Sequence, residues 1–110
     1  MIITFANRKL EKLANDSRKC KTDLGPKRGE LFQRRLLDLA DALTLEDTRN
    51  LPGHFHELIG NKKGQWACNL DHPYRLIFEP HNEPIPTNEH GNYIWIEIVA
   101  VEIIEITDYH

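Results

Sequence analysis

Residues 98–106, IVAVEIIEI, decide the fold of this 110-residue chain. The run holds six β-branched residues and one alanine, contains no glycine or proline, and is typical of a buried β-strand. Its two acids, Glu102 and Glu105, do not share one alternation phase, because a strand turns successive side chains to opposite faces. The run therefore predicts a strand with a bulge or a partly exposed end.

The N-terminal half predicts one strand and two helices. Residues 2–5 are a short strand, and Asn7 is a suitable N-cap for a helix over 8–15. Residues 16–25 are polar and predict an irregular connection, after which Pro26 suits the first turn of a longer helix. That helix carries an apolar stripe at helical spacing. The stripe consists of Phe32, Leu36, Leu39, Ala40 and Leu43.

The C-terminal half predicts strands. Residues 54–58 alternate, with Phe55 on one face, and residues 65–70 and 74–78 read as further strands separated by turns. Residues 79–92, with three prolines and one glycine, predict a loop and the place for a flexible insertion. The order predicts one domain, 1–110, of the α+β class. An N-terminal strand and two helices pack on a twisted, mainly antiparallel sheet whose last four strands form a meander.

Composition indicates a cytoplasmic protein. No segment approaches the length of a membrane span, so no membrane partner is expected.

Residues 1–63 carry 13 of the 14 Lys and Arg residues against 9 acids, a net charge of +4, whereas residues 64–110 carry one Arg against 8 acids, a net charge of −7. Any polyanion must therefore be bound locally. Arg34 and Arg35 are interpreted as a solvated helix face.

Three titratable residues end the chain directly after the decisive run. Asp108, Tyr109 and His110 supply a carboxylate, a phenol and an imidazole at the end of a strand. Such groups accept, donate or position protons, and a strand would hold them rigidly. The trio therefore predicts a site. By contrast, the other histidines and the two cysteines show no metal-ligand spacing, so no metal or other cofactor is expected.

The order of elements and three motifs resemble the RelE/ParE superfamily of bacterial toxins, specifically the HigB-like branch of plasmid-maintenance killer proteins. The motifs are residues 50–58, NLPGHFHEL; residues 63–68, KGQWAC, followed by 73–78, PYRLIF; and residues 108–110, DYH. The resemblance covers nearly the whole chain, with a loop at 79–97 that is longer than usual. It implies the toxin of a type II toxin–antitoxin module, an endoribonuclease that cuts mRNA on the translating ribosome without metal. It also implies a cognate antitoxin, usually a helix-turn-helix protein, and this antitoxin or rRNA could also use the helix face of Arg34 and Arg35.

The chemistry of metal-free RNA cleavage suggests a role for each candidate. The reaction deprotonates a 2′-hydroxyl, stabilises a charged phosphorane and protonates the leaving oxygen, which requires general acid–base groups and fixed cations. His110 has a suitable unperturbed pKa for either proton transfer, and Asp108 is a base or orients His110. Tyr109 can bind a phosphate oxygen or stack on a base. Arg75 is the expected phosphate clamp.

Lys62 and Lys63 are further candidates for binding the RNA backbone, because they occupy the turn ahead of Trp66. Members of the resembled family often carry a lysine directly after the leucine that ends the second strand, but here Ile59 follows Leu58. This difference leaves a second reading open. The chain is then a non-catalytic binding protein on the same scaffold, either a degenerate toxin or a ParE-type gyrase inhibitor. A phage-derived domain kept only as a binding partner is a third reading.

Overall fold

The structure, a computed structural model that describes residues 1–62 and 64–108, is a five-stranded sheet with helices on one face. Its regular elements are, in order, β1 (Ile2–Phe5), α1 (Arg8–Asn15), α2 (Ser17–Leu24), α3 (Pro26–Asp41), β2 (His56–Glu57), β3 (Trp66–Asn69), β4 (Tyr74–Pro80) and β5 (Ala100–Asp108). Short 3₁₀ turns lie at Glu46–Asn50, Gly60–Lys62 and Trp95–Glu97.

The sheet order is β1-β5-β4-β3-β2. Strand β1 runs parallel to β5, and all the other neighbouring strands are antiparallel. The predicted α+β class, the N-terminal strand and the meander of four strands are confirmed. Strand β5 begins and ends two residues later than the predicted run, and β4 continues to Pro80.

The predicted bulge is in β5. Successive residues of β4 face Ile103 and Glu105, so Ile104 is the extra residue. This insertion resets the alternation, and Ile103 and Ile106 both pack against the core although they are three residues apart. The acids Glu102 and Glu105 therefore both lie on the other face of the sheet. The two acids are three residues apart and still share a face, which is the sequence pattern that predicted the bulge.

Helix α2 occupies the segment 16–25 that was predicted to be irregular, so that prediction is wrong. Asp16 caps the helix, because its Oδ1 accepts a hydrogen bond from the backbone N of Lys19 at 3.1 Å. Only Cys20 is buried on α2, which explains why no apolar stripe marks the helix in the sequence. Gly29 lets α3 approach closely, since a Cβ there would lie 3.1 Å from the carbonyl oxygen of Cys20.

The core stripe of α3 is confirmed at Phe32, Leu36 and Leu39, which are buried. The prediction is wrong for the last two residues of the stripe. Ala40 is exposed although it lies within α3, and Leu43 lies beyond the end of the helix at Asp41 and is 79% exposed. Leu45 in the following turn is fully buried instead.

The N-terminus ties β1 to the end of α3. The α-amino group of Met1 donates hydrogen bonds to the carbonyls of Leu39, Ala40 and Ala42, at 3.2, 2.8 and 2.7 Å. A positive charge at a helix C-terminus is favourable, because the last carbonyls have no partner inside the helix. Within residues 1–62 and 64–108, none of the helices is long and apolar enough to cross a membrane.

Replacing Asp16 by alanine should destabilise the fold by about 1 kcal/mol, because the Lys19 amide loses its cap. The matched control is Asp16→Asn, whose side-chain oxygen can still accept that hydrogen bond. The measurement is the free energy of unfolding from urea titration. Equal losses in the two variants would show that the charge of Asp16, and not the cap, stabilises α2.

Candidate functional site

The sheet has one face against the helices and one face away from them. Trp66 and Cys68 of β3, with Leu76 and Phe78 of β4, belong to the core shared with the helices. Side chains alternate along a strand, so the residues between them point to the opposite face, here called the open face. The described open face carries His56, Ala67, Asn69, Arg75, Ile77, Glu79, Glu102, Glu105 and Thr107.

Arg75 lies on the open face near the beginning of β4. Its Cα partners are Asn69 on β3 and Thr107 on β5. Asp108, the last residue of β5, is exposed and faces Tyr74. The structure thus places Asp108 one residue from the level of Arg75 but on the opposite face, because directly opposed residues in an antiparallel sheet share a face.

The face of Asp108 carries an ion-paired arginine close to Tyr74. The guanidinium carbon of Arg28 lies 3.5 Å from the centroid of the Tyr74 ring. Arg28 is held by two hydrogen bonds to the carboxylate of Asp71, at 2.9 and 3.1 Å. Tyr109 and His110, which follow Asp108, lie outside the described residues, and their predicted roles stay predictions.

Lys62 is not near Arg75. It is exposed at the end of the turn Gly60–Lys62, and its carbonyl accepts a hydrogen bond from the backbone N of Gln65. This turn precedes Trp66, whereas Arg75 faces Asn69 at the other end of β3. Three residues of strand separate the two levels by roughly 10 Å. Lys63 lies outside the described residues.

Two histidines lie at and just before the start of β2. The rings of His54 and His56 stack with centroids 4.2 Å apart at 30°, and the Nδ1 of His56 lies 2.7 Å from the carbonyl oxygen of His54. His56 shares the open face with Arg75, two strands away. The sequence assigns these histidines no role beyond the metal-ligand spacing that they lack. Their spacing of two along a predicted strand was the signal that both side chains share a face.

A brace from α3 holds this end of the sheet. The Nε of Arg35 donates a hydrogen bond to the carbonyl oxygen of Asn69 at 2.8 Å, and the backbone N of Asn69 donates to the carbonyl of Gly53 at 2.7 Å. His54 follows with a φ of +54°, which reverses the chain into β2. Arg35, predicted as solvated, is therefore a structural contact, whereas the side chain of Arg34 is 70% exposed as expected.

The other end of the open face is acidic. Glu79 and Glu102 face each other on β4 and β5, and the Nδ1 of His81 lies 4.0 Å from the carboxylate of Glu102. The side-chain amide of Gln65 donates a hydrogen bond to Glu79 at 3.2 Å. Glu105 stands between this group and Arg75. A phosphate is therefore repelled from one end of the open face and attracted to the other.

The cysteines are not suited to nucleophilic chemistry. Cys20 and Cys68 are both buried, and burial raises the pKa of each thiol above its ordinary value. Both thiols are therefore neutral near pH 7, and the thiolate is the reactive form. Among the described residues, no three His, Cys, Asp or Glu side chains are grouped so as to hold a metal ion.

The fold has counterparts among solved structures. The sequence matches no family model and no curated protein. The structure is similar to a YoeB–YefM complex from Staphylococcus aureus, with a TM-score of 0.60, 15% identity, and coverage of 100% of this chain and 97% of that chain. A YoeB dimer from the same organism gives a TM-score of 0.57 at 17% identity, with the same coverage.

A YoeB/ParE toxin from Agrobacterium tumefaciens is also similar, with a TM-score of 0.54 at 10% identity and full coverage of both chains. At such low identity these likenesses establish the fold. The chain therefore has the RelE/ParE-like toxin fold. More particularly, its fold is that of YoeB and YoeB/ParE toxins.

Replacing Gly53 by alanine should disturb the brace. Gly53 has a φ of +106°, and a Cβ would lie 2.5 Å from the Nε of Arg35, so Arg35 must leave Asn69. The matched control is Gly25→Ala, at a φ of +87° with no atom within 4 Å of the added Cβ. Both variants carry backbone strain of about 1–3 kcal/mol, because both positions have a φ that L-residues rarely adopt. We expect Gly53→Ala to lose at least about 1 kcal/mol more, for the charged hydrogen bond. Equal unfolding free energies would show that Arg35 does not brace the sheet.

Proposed function

We propose that the chain is the toxin of a type II toxin–antitoxin module, of the HigB-like branch, and acts as a metal-independent endoribonuclease. Its substrate is mRNA on the translating ribosome in the cytoplasm, and a single domain, 1–110, carries the activity. The observation that carries the proposal is that Arg75 and His56 lie on the same face of the sheet, two strands apart. His56 is level with Ile77, and Arg75 lies two residues closer to the end where Asp108 ends β5.

The position of Arg75 and His56 on one face supports a division of catalytic roles between the arginine and the histidines. The planar guanidinium of Arg75 suits two oxygens of a scissile phosphate and stabilises the charge that develops on it. His56 supplies an imidazole on the same face, and His110 supplies a second at the chain end. Two imidazoles can serve as the general base for the 2′-hydroxyl and the general acid for the leaving oxygen. Asp108 and Tyr109 are proposed to orient His110 and the substrate.

Cationic helices support binding of an RNA backbone. Residues 8–28, which include α1 and α2, carry 8 Lys and Arg residues against 3 acids. Most of these cations are exposed, among them Arg8, Lys12, Arg18 and Lys21. Phosphate contacts by such side chains give affinity that does not depend on RNA sequence and that falls with salt. Lys62 and Lys63 are proposed to extend this binding to the turn before β3.

A protein partner is part of the proposal. One structural neighbour is YoeB in a complex with YefM. We propose that this chain likewise binds a cognate antitoxin, a helix-turn-helix protein as the family resemblance implies. Binding over the open face would block access of RNA to Arg75.

The second candidate function is a binding protein on the same scaffold, a degenerate toxin or a gyrase inhibitor. Ile59 favours it, because this residue stands where a catalytic lysine is expected and its side chain is 86% exposed. The acidic end of the open face also favours a protein over RNA. If the chain is such a binding protein, its expression stops bacterial growth without cleavage of mRNA.

The nuclease proposal predicts the result of inducible expression in a bacterial host. The wild type should stop growth and create new mRNA 5′ ends, which are mapped by sequencing. His110→Ala and His56→Ala should each reduce cleavage by about 10²–10⁴-fold, the usual contribution of a general acid or base. Arg75→Gln should reduce it by about 10²–10³-fold.

The matched controls are His90→Ala and Arg34→Gln, which remove an exposed histidine and an exposed arginine elsewhere. Both should cleave like the wild type, and thermal melting should confirm that all variants fold. Uncut mRNA after wild-type induction refutes the nuclease. If growth still stops, a DNA supercoiling assay tests the gyrase alternative. Unchanged cleavage by His110→Ala places the active site elsewhere.

A further inference from the structure

A cavity of about 390 Å³ lies beside β2, away from Arg75. Its described lining consists of Glu57, Leu58, Gly64, Gly91, Asn92, Tyr93 and Trp95. Five of these residues belong to the turn before β3 and to the long loop between β4 and β5. This size is at the lower end of the range for ligand sites and suits one side chain or a small molecule.

Two aromatic rings form fixed walls of the cavity. The centroids of Tyr93 and Trp95 are 5.5 Å apart with ring planes at 84°. Trp95 in turn packs edge-on against the fully buried Trp66, at 5.4 Å and 70°. The backbone N of Ile94 donates a hydrogen bond to the carbonyl of Pro86 at 3.0 Å, so the loop closes on itself between the two rings. The two rings are anchored in this way as aromatic walls of the cavity.

The charged group in the described lining of the cavity is a carboxylate. Glu57 is the only charged residue of the described lining, and no lysine, arginine or histidine is part of it. Arg49 holds one oxygen of Glu57, with its Nη2 3.0 Å from Oε1, and its Nε is 3.1 Å from Glu46. Residues 64–110, which supply the aromatic walls, carry a net charge of −7. Directly beside the Glu57 carboxylate a phosphate group would be repelled, whereas a cation would be attracted.

The chain itself shows that this aromatic cluster accepts a guanidinium. The guanidinium carbon of Arg49 lies 4.6 Å from the centroid of the Trp66 ring, on the cluster to which Trp95 belongs. Burial acts to lower the pKa of Arg49, but the carboxylates of Glu46 and Glu57 outweigh it and raise the pKa. Cation–π attraction and a nearby carboxylate thus already act together one ring away from the cavity.

We propose that this cavity binds a basic side chain, in the first place an arginine, presented by a protein partner. Arginine is preferred over lysine because its planar group stacks on aromatic rings and forms a fork with a carboxylate. Exposed apolar residues adjoin the cavity in the sequence: Ile59 follows Leu58, and Ile96 follows Trp95, with exposures of 86% and 65%. They offer the flanking apolar contact that a folded or folding partner segment needs. The inference rests on the proposed function only in supposing a protein partner.

The cavity is tested on the full chain without the partner. N-acetyl-arginine methylamide is titrated against the labelled protein, and the indole and amide NMR shifts of Trp95 and Tyr93 are followed. The arginine derivative should bind saturably. Its neutral isostere, N-acetyl-citrulline methylamide, should bind at least several-fold more weakly, and high salt should weaken only the arginine derivative. Guanosine monophosphate is titrated in parallel.

Variants of the lining residues test which side chains of the cavity bind the arginine derivative. Trp95→Ala should weaken arginine binding by about 2- to 30-fold, the range of a cation–π contact, and Trp95→Phe should weaken it less. Trp95→Phe retains a ring, so it keeps the test valid where Trp95→Ala fails to fold. Glu57→Gln should weaken binding, whereas its control Glu46→Gln, which also removes a carboxylate from Arg49 but lies outside the lining, should not.

Three results overturn the proposal. Equal binding of arginine and citrulline derivatives excludes recognition of charge. Tighter binding of guanosine monophosphate assigns the cavity to a nucleobase, and absence of saturable binding leaves it without this ligand. None of these results bears on mRNA cleavage, which is measured separately. A failed nuclease assay likewise leaves arginine binding to the isolated chain unaffected.

Discussion

The pairing of β5 on both sides is the interaction on which the structure depends. Strand β1 lies parallel on one side and β4 antiparallel on the other, so the last part of the chain joins the first part to the meander. The extra residue Ile104 lets one strand serve two demands, since it keeps isoleucines against the core while placing Glu105 and Thr107 on the open face. Without that insertion, either the core or the open face would receive the wrong residues.

Local signals in the sequence predict much of this architecture. Asn7 caps α1 through its own side chain, Pro26 starts α3, and the unequal phases of Glu102 and Glu105 indicate the bulge. Helix α2 was missed because its burial is confined to Cys20 and depends on close approach to a glycine of α3. That approach is a tertiary contact, which no periodicity within the helix reveals.

The candidate site was predictable only in part, for a similar reason. The candidates Arg75 and Asp108 are placed by the strands that the pattern predicts. The face on which each side chain lies follows from the register between β4 and β5, which the sequence alone leaves open. The stacked pair of His54 and His56 depends on a left-handed residue and on Gly53 pairing with Asn69 across the sheet.

The uneven charge of the open face has a consequence for association in solution. Acids occupy the end near Glu79 and Glu102, and the other end carries Arg75. Such a charge distribution orients an approaching polyanion. The proposed RNA substrate would therefore meet the Arg75 end of the open face first. Electrostatic steering of this kind accelerates association at low ionic strength and fades as salt shortens the Debye length to about 8 Å near physiological conditions. For the proposed RNA substrate, the charges on this face would thereby set the direction of approach as well as the place of contact.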